Sequence, residues 1–385
     1  TLFSITIGGV PYKFTKNEAF TYVSGKMMNF GIKVDKQTGS GAYKLTLVSE
    51  SITPWENDLV SHDATTKEYV VINSTKGHLK EAIAAANKDY TKIKNLKITG
   101  EISAQDFYFM RDSMENLAAL NLKEVIIRGG EQRLTGGAQG VYPHNDYEIP
   151  YEALRGKKSL NLLVLPDKLT KIGIAAFADD QNITGSLIIP EGVTEIEVGA
   201  FYDCRSMNGT LSLPSTLKYL GRGIDLWWYG GVFTYCGFTS ELILPNNLEC
   251  IAGNNTFAGC EGLHGELRFP EKLTEISDGA FNGCKSLTGS ITIPQGVHKL
   301  PTSVFQFCDN LNGTLTLPDG ITSIGYNCFQ GCALKGELKL PKNLTDIADE
   351  VSTGCDFSGD LVLPKTTRSL RKRAFANNWR LMGIV

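Results

Sequence analysis

The amino-acid sequence predicts an α/β-type repeat protein rich in β-structure, a solenoid whose coils of about 23–25 residues stack on one another. Three regularities predict this fold: a recurring proline, an apolar residue six positions after each of these prolines, and a phenylalanine usually eleven positions after it. The prolines are Pro166, Pro190, Pro214, Pro245, Pro270, Pro294, Pro318, Pro341 and Pro364, with successive spacings of 24, 24, 31, 25, 24, 24, 23 and 23 residues.

Each coil opens with a predicted strand that ends at the proline. Leu267 and Phe269 stand three and one positions before Pro270, and this alternation indicates a strand with one face in the core. Proline lacks the N–H that a strand uses for pairing, so the strand stops there. A glycine usually lies five positions before the proline, as Gly265 does. It indicates a positive-φ corner or a tight approach between coils.

The apolar residues after the prolines predict the core of the solenoid. The residues six positions after them are Ile172, Ile196, Leu220, Ile251, Ile276, Leu300, Ile324, Ile347 and Leu370. The aromatic residues that follow are Phe177, Phe201, Phe233, Phe257, Phe281, Phe305, Phe329 and Phe375, with Val351 replacing phenylalanine in one coil. We therefore expect a stacked phenylalanine spine inside the solenoid, and we expect Trp379 to cap its C-terminal end.

The complete pattern, LxLPxxLxxIxxxAFxGCxxLxG, resembles the repeat of BspA-like leucine-rich-repeat surface proteins of bacteria. The resemblance extends from about Lys92 to Val385. It implies a leucine-rich-repeat solenoid and a role in adhesion to host proteins or other cells.

The chain divides into three predicted parts. Residues 1–75 carry alternating segments without the repeat and predict a small β-rich N-terminal module. Residues 76–162 predict capping strand–helix–strand coils and a polar loop, and the pair Ser103 and Asp106 predicts the start of a helix there. Residues 163–385 contain the nine regular coils.

Seven of the nine cysteines occupy one repeat position, three or four residues after the core aromatic position. These are Cys204, Cys236, Cys260, Cys284, Cys308, Cys332 and Cys355. Stacked coils hold equivalent side chains parallel and about 4.8 Å apart, whereas a disulfide needs converging Cβ atoms about 3.8 Å apart. We therefore expect buried, reduced thiols. No spacing of Cys and His residues indicates a metal site.

Charge and motifs weigh against several function classes. The net charge of −3 gives no field that attracts nucleic acid, and no apolar run is long enough to span a membrane. No catalytic or cofactor-binding motif is present, so we expect a protein that is not an enzyme and has no cofactor. We also expect it to be a monomer. His144 and Asp146 could form a dyad, but a bland surface role is favoured. We expect a secreted or cell-surface protein whose signal or anchor segment is not part of this chain.

The outward strand positions form the predicted binding face, for a host or cell-surface protein. Its candidate residues are Ile243, Arg268, Thr292, Thr316 and Lys339, each two positions before a proline. The coil after Pro214 carries eight extra residues, with Trp227, Trp228 and Tyr229 as further candidates. These aromatic residues would also suit the alternative function, a glycan-binding accessory of a surface uptake system. A purely structural role, sealing the gap that the longer coil opens, is the other interpretation of them.

Overall fold

The structure is a computed structural model, which describes residues 3–7, 10–14, 26–36, 43–54, 68–130, 143–223 and 230–384. The chain divides into two compact units, Thr1–His62 and Asp63–Val385. In the first unit the described segments are two antiparallel strand pairs, which confirms its β-rich character. The pairs are Phe3–Ile7 with Val10–Phe14, and Lys26–Lys36 with Tyr43–Pro54.

The second unit is a β-rich solenoid of about 12 turns with little helix, as the sequence predicts. It begins with a five-stranded parallel sheet. The strands are Val70–Ser74, Asn95–Ile102, Ala119–Asn121, Val125–Ile127 and Leu162–Val164. The helical elements beside them are the α-helices Leu79–Ala85 and Ala104–Ser113 and the 3₁₀ helix Tyr90–Lys92.

The first strand of this sheet, Val70–Ser74, pairs in parallel with Asn95–Ile102. Sequence reasoning placed residues 70–74 in the N-terminal module, whereas the pairing joins them to the first coil of the solenoid. Sequence reasoning overlooked that this short apolar strand stands directly before the first helix, as a strand of a coil does. Its central residue, Ile72, is buried in the solenoid core. The other predicted domain boundaries remain predictions.

Asp106 organises the start of both α-helices. Its carboxylate accepts the backbone N–H of Ser103 at 2.8 Å, which is the contact predicted for the helix start at Ala104. The same carboxylate also accepts the N–H groups of Gly77 and Leu79, at 2.8 and 2.9 Å. One buried carboxylate thus satisfies amides at the beginning of two helices, which otherwise lack partners.

Short strands recur along the solenoid in several small parallel sheets, here called the pre-proline row. All of them precede a proline except the last, which follows Pro364. Its members after Leu162–Val164 are Leu187–Ile188, Leu211–Ser212, Gly265–Glu266, Leu287–Thr288, Ile291–Thr292, Leu315–Thr316, Lys335–Glu337, Asp356–Leu361 and Arg380–Ile384. Both predicted roles of the glycine five positions before the proline occur. Gly289 has φ +83°, and a Cβ on Gly313 would lie 2.5 Å from the backbone nitrogen of Ser290.

A second row of parallel strands, the post-proline row, surrounds the apolar residue six positions after each proline. Its first six strands are Glu148–Ile149, Lys171–Ile172, Glu195–Glu197, Tyr219–Arg222, Cys250–Ile251 and Glu275–Ile276. The next four are Lys299–Leu300, Ser323–Ile324, Asp346–Ile347 and Ser369–Leu370. Sequence reasoning assigned these apolar residues to the core but did not predict the strands around them. Their side chains are buried except at Leu370, which is 42% exposed in the last coil.

The phenylalanine spine is confirmed from Phe177 to Phe329. Six successive ring pairs stack, with centroids 5.2–5.7 Å apart and interplanar angles of 6–24°. The stack does not continue to Phe375, which is only partly buried, because Val351 occupies the ring position between them. Trp379 is 87% exposed, so the prediction that it caps the core is wrong.

The cysteine column is buried, as predicted, and each thiol has a hydrogen-bond role that sequence reasoning missed. Each Sγ donates to the carbonyl oxygen of the phenylalanine one coil earlier, at 2.9–3.2 Å. The same carbonyl also accepts the backbone N–H three residues later in its own coil, so the thiol adds a second hydrogen bond that links one coil to the next. Burial raises the pKa of the Cys260 and Cys308 thiols to about 12.

Candidate binding surfaces

The predicted outward residues of the pre-proline row are exposed to solvent. Thr292 and Thr316 lie opposite each other in paired strands, and Ile243 is 68% exposed. Arg268 donates to Glu266 at 2.7 Å. Lys339 lies 3.7 Å from the carboxylate of Glu337. The structure thus places these residues at the same position of successive coils, while their role in binding stays a prediction.

The three aromatic candidates of the insertion, Trp227, Trp228 and Tyr229, lie outside the described residues. The residues on either side, Gly223 and Gly230, are described, and both line one groove. The described residues on both sides of 224–229 therefore lie at that groove.

The groove has a volume of about 820 Å³ and lies beside the post-proline row. A cavity of about 210 Å³ lies beside earlier strands of the same row, and one of about 300 Å³ lies beside later strands. Gly223 lines both the smallest and the largest of these cavities. This side of the solenoid therefore offers concave binding space, and sequence reasoning missed it.

A β-bulge determines which side chain projects at the groove. Ile196 pairs with Leu220, but the next residue, Glu197, pairs with Arg222, so Gly221 is an extra residue in its strand. Gly221 has φ +79°, and a Cβ there would lie 2.3 Å from the nitrogen of Gly253. Because side chains alternate along a strand, the extra residue turns Arg222 to the outward side, opposite Glu197.

Arg222 lies flat against a tyrosine. Its guanidinium carbon is 3.5 Å from the ring centroid of Tyr219, and the Tyr219 hydroxyl donates to Glu249 at 3.1 Å. Next to them, the Cys250 thiol donates to Glu275 at 2.9 Å. Burial and the Glu275 carboxylate raise the pKa of Cys250 to about 12, so this thiol stays protonated and inert.

Two further tyrosines stand on the turn side of the groove. The rings of Tyr202 and Tyr235 meet edge to face, with centroids 6.2 Å apart. Glycines make room for both rings. A Cβ on Gly230 would lie 2.6 Å from the Tyr202 ring, and a Cβ on Gly259 would lie 2.5 Å from the Tyr235 ring. Tyr235 remains 49% exposed.

The possible dyad of His144 and Asp146 is engaged in structural contacts. Arg128 donates to the Asp146 carboxylate at 2.7 Å, and the Gly129 N–H donates to it at 2.8 Å. The pKa of Asp146 is lowered by the Gly129 hydrogen bond and by Arg128. His144 Nε2 lies 3.1 Å from the carbonyl oxygen of Arg128, and burial lowers the pKa of its ring. These contacts join residues 144–146 to the segment Arg128–Gly130.

Within the described residues, no helix has the length and apolar character needed to cross a membrane. Nor does the described part bring three or more His, Cys, Asp or Glu side chains together as a metal site.

The family is decided by its repeat. The model of the BspA type leucine rich repeat region matches in six copies, over residues 147–224, 229–356 and 289–385. The chain belongs to the BspA-type leucine-rich-repeat family. Proteins of this family are generally protein-binding repeat scaffolds and are typically not enzymes. No curated protein sequence matches the chain.

Solved structures of bacterial leucine-rich-repeat proteins are similar to the chain. A leucine-rich repeat protein from Bacteroides ovatus is 19% identical, with a TM-score of 0.40 over 97% of this chain and 94% of that one. A leucine rich cell surface protein from Faecalibacterium prausnitzii is 18% identical, with a TM-score of 0.39 over 96% and 95%. The leucine rich repeat protein of T. pallidum is 26% identical, with a TM-score of 0.32 over 48% and 69%.

Proposed function

We propose that this BspA-type protein is a secreted or surface-exposed, non-enzymatic adhesion protein that binds another protein through its pre-proline row. The observation that carries the proposal is the exposure of one repeat position, from Ile243 to Lys339, in five successive coils. Extended rows of this kind are the surfaces that solenoids use for large partners. Family membership supports the surface location.

The row has the size and composition of a protein-binding surface. At a strand spacing of about 4.8 Å, five coils span roughly 20 Å. Arg268 and Lys339 each pair with a glutamate on their own coil, so the row carries little net charge of its own. The apolar side chain of Ile243 and the methyl groups of Thr292 and Thr316 can then be buried by a partner at low electrostatic cost.

An alanine series tests this proposal. The protein is passed over immobilised matrix proteins, and binding is measured by biolayer interferometry for Ile243→Ala, Thr292→Ala and Thr316→Ala. We expect each substitution to weaken binding without lowering the melting temperature. A matched threonine control, Thr274→Ala, lies away from the row and should bind normally. Unchanged binding by the triple variant would reject the row as the interface.

A second candidate function is that of a glycan-binding accessory in a surface uptake system. The groove beside the post-proline row favours it, because tyrosine rings and hydrogen-bonding side chains line the same concave space. A glycan array measured beside the matrix-protein panel separates the two functions. Binding to glycans alone favours the second, and binding to unglycosylated matrix protein alone favours the first.

A further inference from the structure

A bulge at Gly221 disturbs the strand register of the post-proline row, and the largest of the three cavities beside this row lies there. We propose that this groove is a binding site for a neutral oligosaccharide, with Arg222 and Glu275 as its central hydrogen-bonding pair. The proposal rests on the second candidate function and gives that function a site. It does not involve the outward residues of the pre-proline row, so either surface can fail while the other stands.

The first argument is the preorganisation of Arg222. Its guanidinium is exposed yet held flat on the Tyr219 ring, so its orientation is fixed before any ligand arrives. Among the described residues its hydrogen-bonding neighbours are the Cys250 thiol and the Tyr219 hydroxyl, and no carboxylate there lies within ion-pair distance to compete with a ligand. A planar guanidinium with several parallel donors suits two neighbouring oxygen atoms of one molecule.

The second argument is the balance of charge and hydrogen-bonding type. Glu275 faces the same groove and is exposed, and its Oε2 atom accepts the Cys250 thiol, which leaves Oε1 available. An exposed cation and an exposed anion that line the same groove give little net attraction to a charged ligand. Hydroxyl groups both donate and accept, so neighbouring sugar hydroxyls can satisfy Arg222 and Glu275 together. The amides of Asn255 and Asn282 add further donors and acceptors.

The third argument is shape. A volume of about 820 Å³ is within the usual range for small-molecule sites, roughly 300–1,000 Å³. The rings of Tyr202 and Tyr235 present apolar carbon beside hydroxyl groups, which matches the mixed surface of a pyranose ring. Gly221, Gly253 and Gly259 line the groove without side chains, which allows the two strands to approach each other and the Tyr235 ring to lie against the backbone.

Direct titration tests the proposal. The full chain is titrated by isothermal calorimetry with four neutral probes: cellohexaose, maltohexaose, mannohexaose and xylohexaose. A hexamer of galacturonic acid is the charged counterpart. We expect at least one neutral probe to bind measurably at millimolar concentration, and the acidic probe to bind more weakly than that one.

Substitutions then locate the binding. Arg222→Ala should lower the affinity for the neutral probe roughly tenfold or more, because a hydrogen bond to a charged group is lost. Arg222→Lys should recover only part of that affinity. Glu275→Gln should weaken binding by a similar factor. The matched control is Arg268→Ala, which removes an exposed arginine from the pre-proline row and should leave binding unchanged. All variants should keep the melting temperature of the parent protein.

Three outcomes would overturn the proposal. The first is that none of the four neutral probes binds. The second is that a neutral probe binds with an affinity insensitive to both Arg222→Ala and Glu275→Gln. The third is that the protein prefers the acidic hexamer to the neutral probes. The same conclusion would follow if no saccharide bound and the protein instead bound an unglycosylated protein through Arg222. Protein binding that depends only on Ile243 would support the pre-proline interface and leave the groove to be judged on the saccharide data.

Discussion

Replacing Phe281 by alanine tests the core of the fold most directly. The Phe281 ring is fully buried and stacks on Phe257 and Phe305, with centroids 5.4 and 5.6 Å away. Phe269 meets it edge to face at 5.7 Å. Removing a buried phenylalanine ring costs about 3–5 kcal/mol, and the stacked neighbours cannot close the gap because backbone hydrogen bonds fix the coil spacing. We therefore expect a loss of about 4 kcal/mol in the free energy of unfolding.

The assay is urea unfolding followed by far-ultraviolet circular dichroism and by tryptophan fluorescence. The matched control is Phe375→Ala, the same substitution at a partly buried ring outside the stack, which should cost less than half as much. Phe281→Leu should also cost less than Phe281→Ala, because most of the volume is kept. A loss below about 1 kcal/mol for Phe281→Ala, within the range of surface substitutions, would refute the reasoning that the stacked rings stabilise the fold.

Three other expectations can be checked with simple variants or reagents. Cys284 and Cys308 should react with thiol reagents only on unfolding, because burial raises their pKa values; rapid labelling of the native protein would contradict this. Burial raises the pKa of Asp180 well above its usual value, so the contribution of this residue to stability is lost as pH rises through the folded-state pKa. Asp180→Asn should therefore stabilise the protein at neutral pH and make its stability less dependent on pH. A variant less stable than the parent protein at neutral pH would reject this expectation. Trp227→Ala and Trp228→Ala, made singly, should include one variant that loses ligand binding at unchanged melting temperature; lowered stability in both with unchanged binding would make the insertion structural.

The regular parts of the fold were predictable because one residue type recurs where one physical role recurs. The phenylalanine position of each coil is surrounded by the same position of its two neighbours, so the sequence displays the stack directly. The half coil at Ile149 follows the same logic: Ile149 pairs with Ile172, and buried Leu154 stands where later coils have phenylalanine. The thiols were placed correctly for burial, but their donation to phenylalanine carbonyls depends on backbone geometry that no side-chain pattern reveals.

The post-proline strands were missed because most of them are only two or three residues long. A pair such as Ser323–Ile324 shows one inward and one outward residue, which is too short for an alternating pattern. The outward residues also share no chemistry from coil to coil, since Lys171, Tyr219 and Cys250 occupy equivalent places. Only their pairing through the backbone unites them, and pairing across coils is not visible in a single coil.

Arg222 shows why the candidate site could not be predicted from repeat positions. It stands eight positions after its proline, where Ile174 and Val198 occupy buried places in the two preceding coils. By position it belongs to the core, where a guanidinium without a partner would cost several kcal/mol. The bulge at Gly221 resolves this conflict by moving Arg222 to the outward position opposite Glu197. A solenoid tolerates such a break only where both neighbours adapt, and here Gly253 leaves the space that Gly221 needs. The charged Arg222, which does not fit the buried repeat position, and the glycines Gly221 and Gly253, which allow the bulge, therefore occur together at the groove. For this reason a ligand is expected at the irregular coil and not at the regular ones.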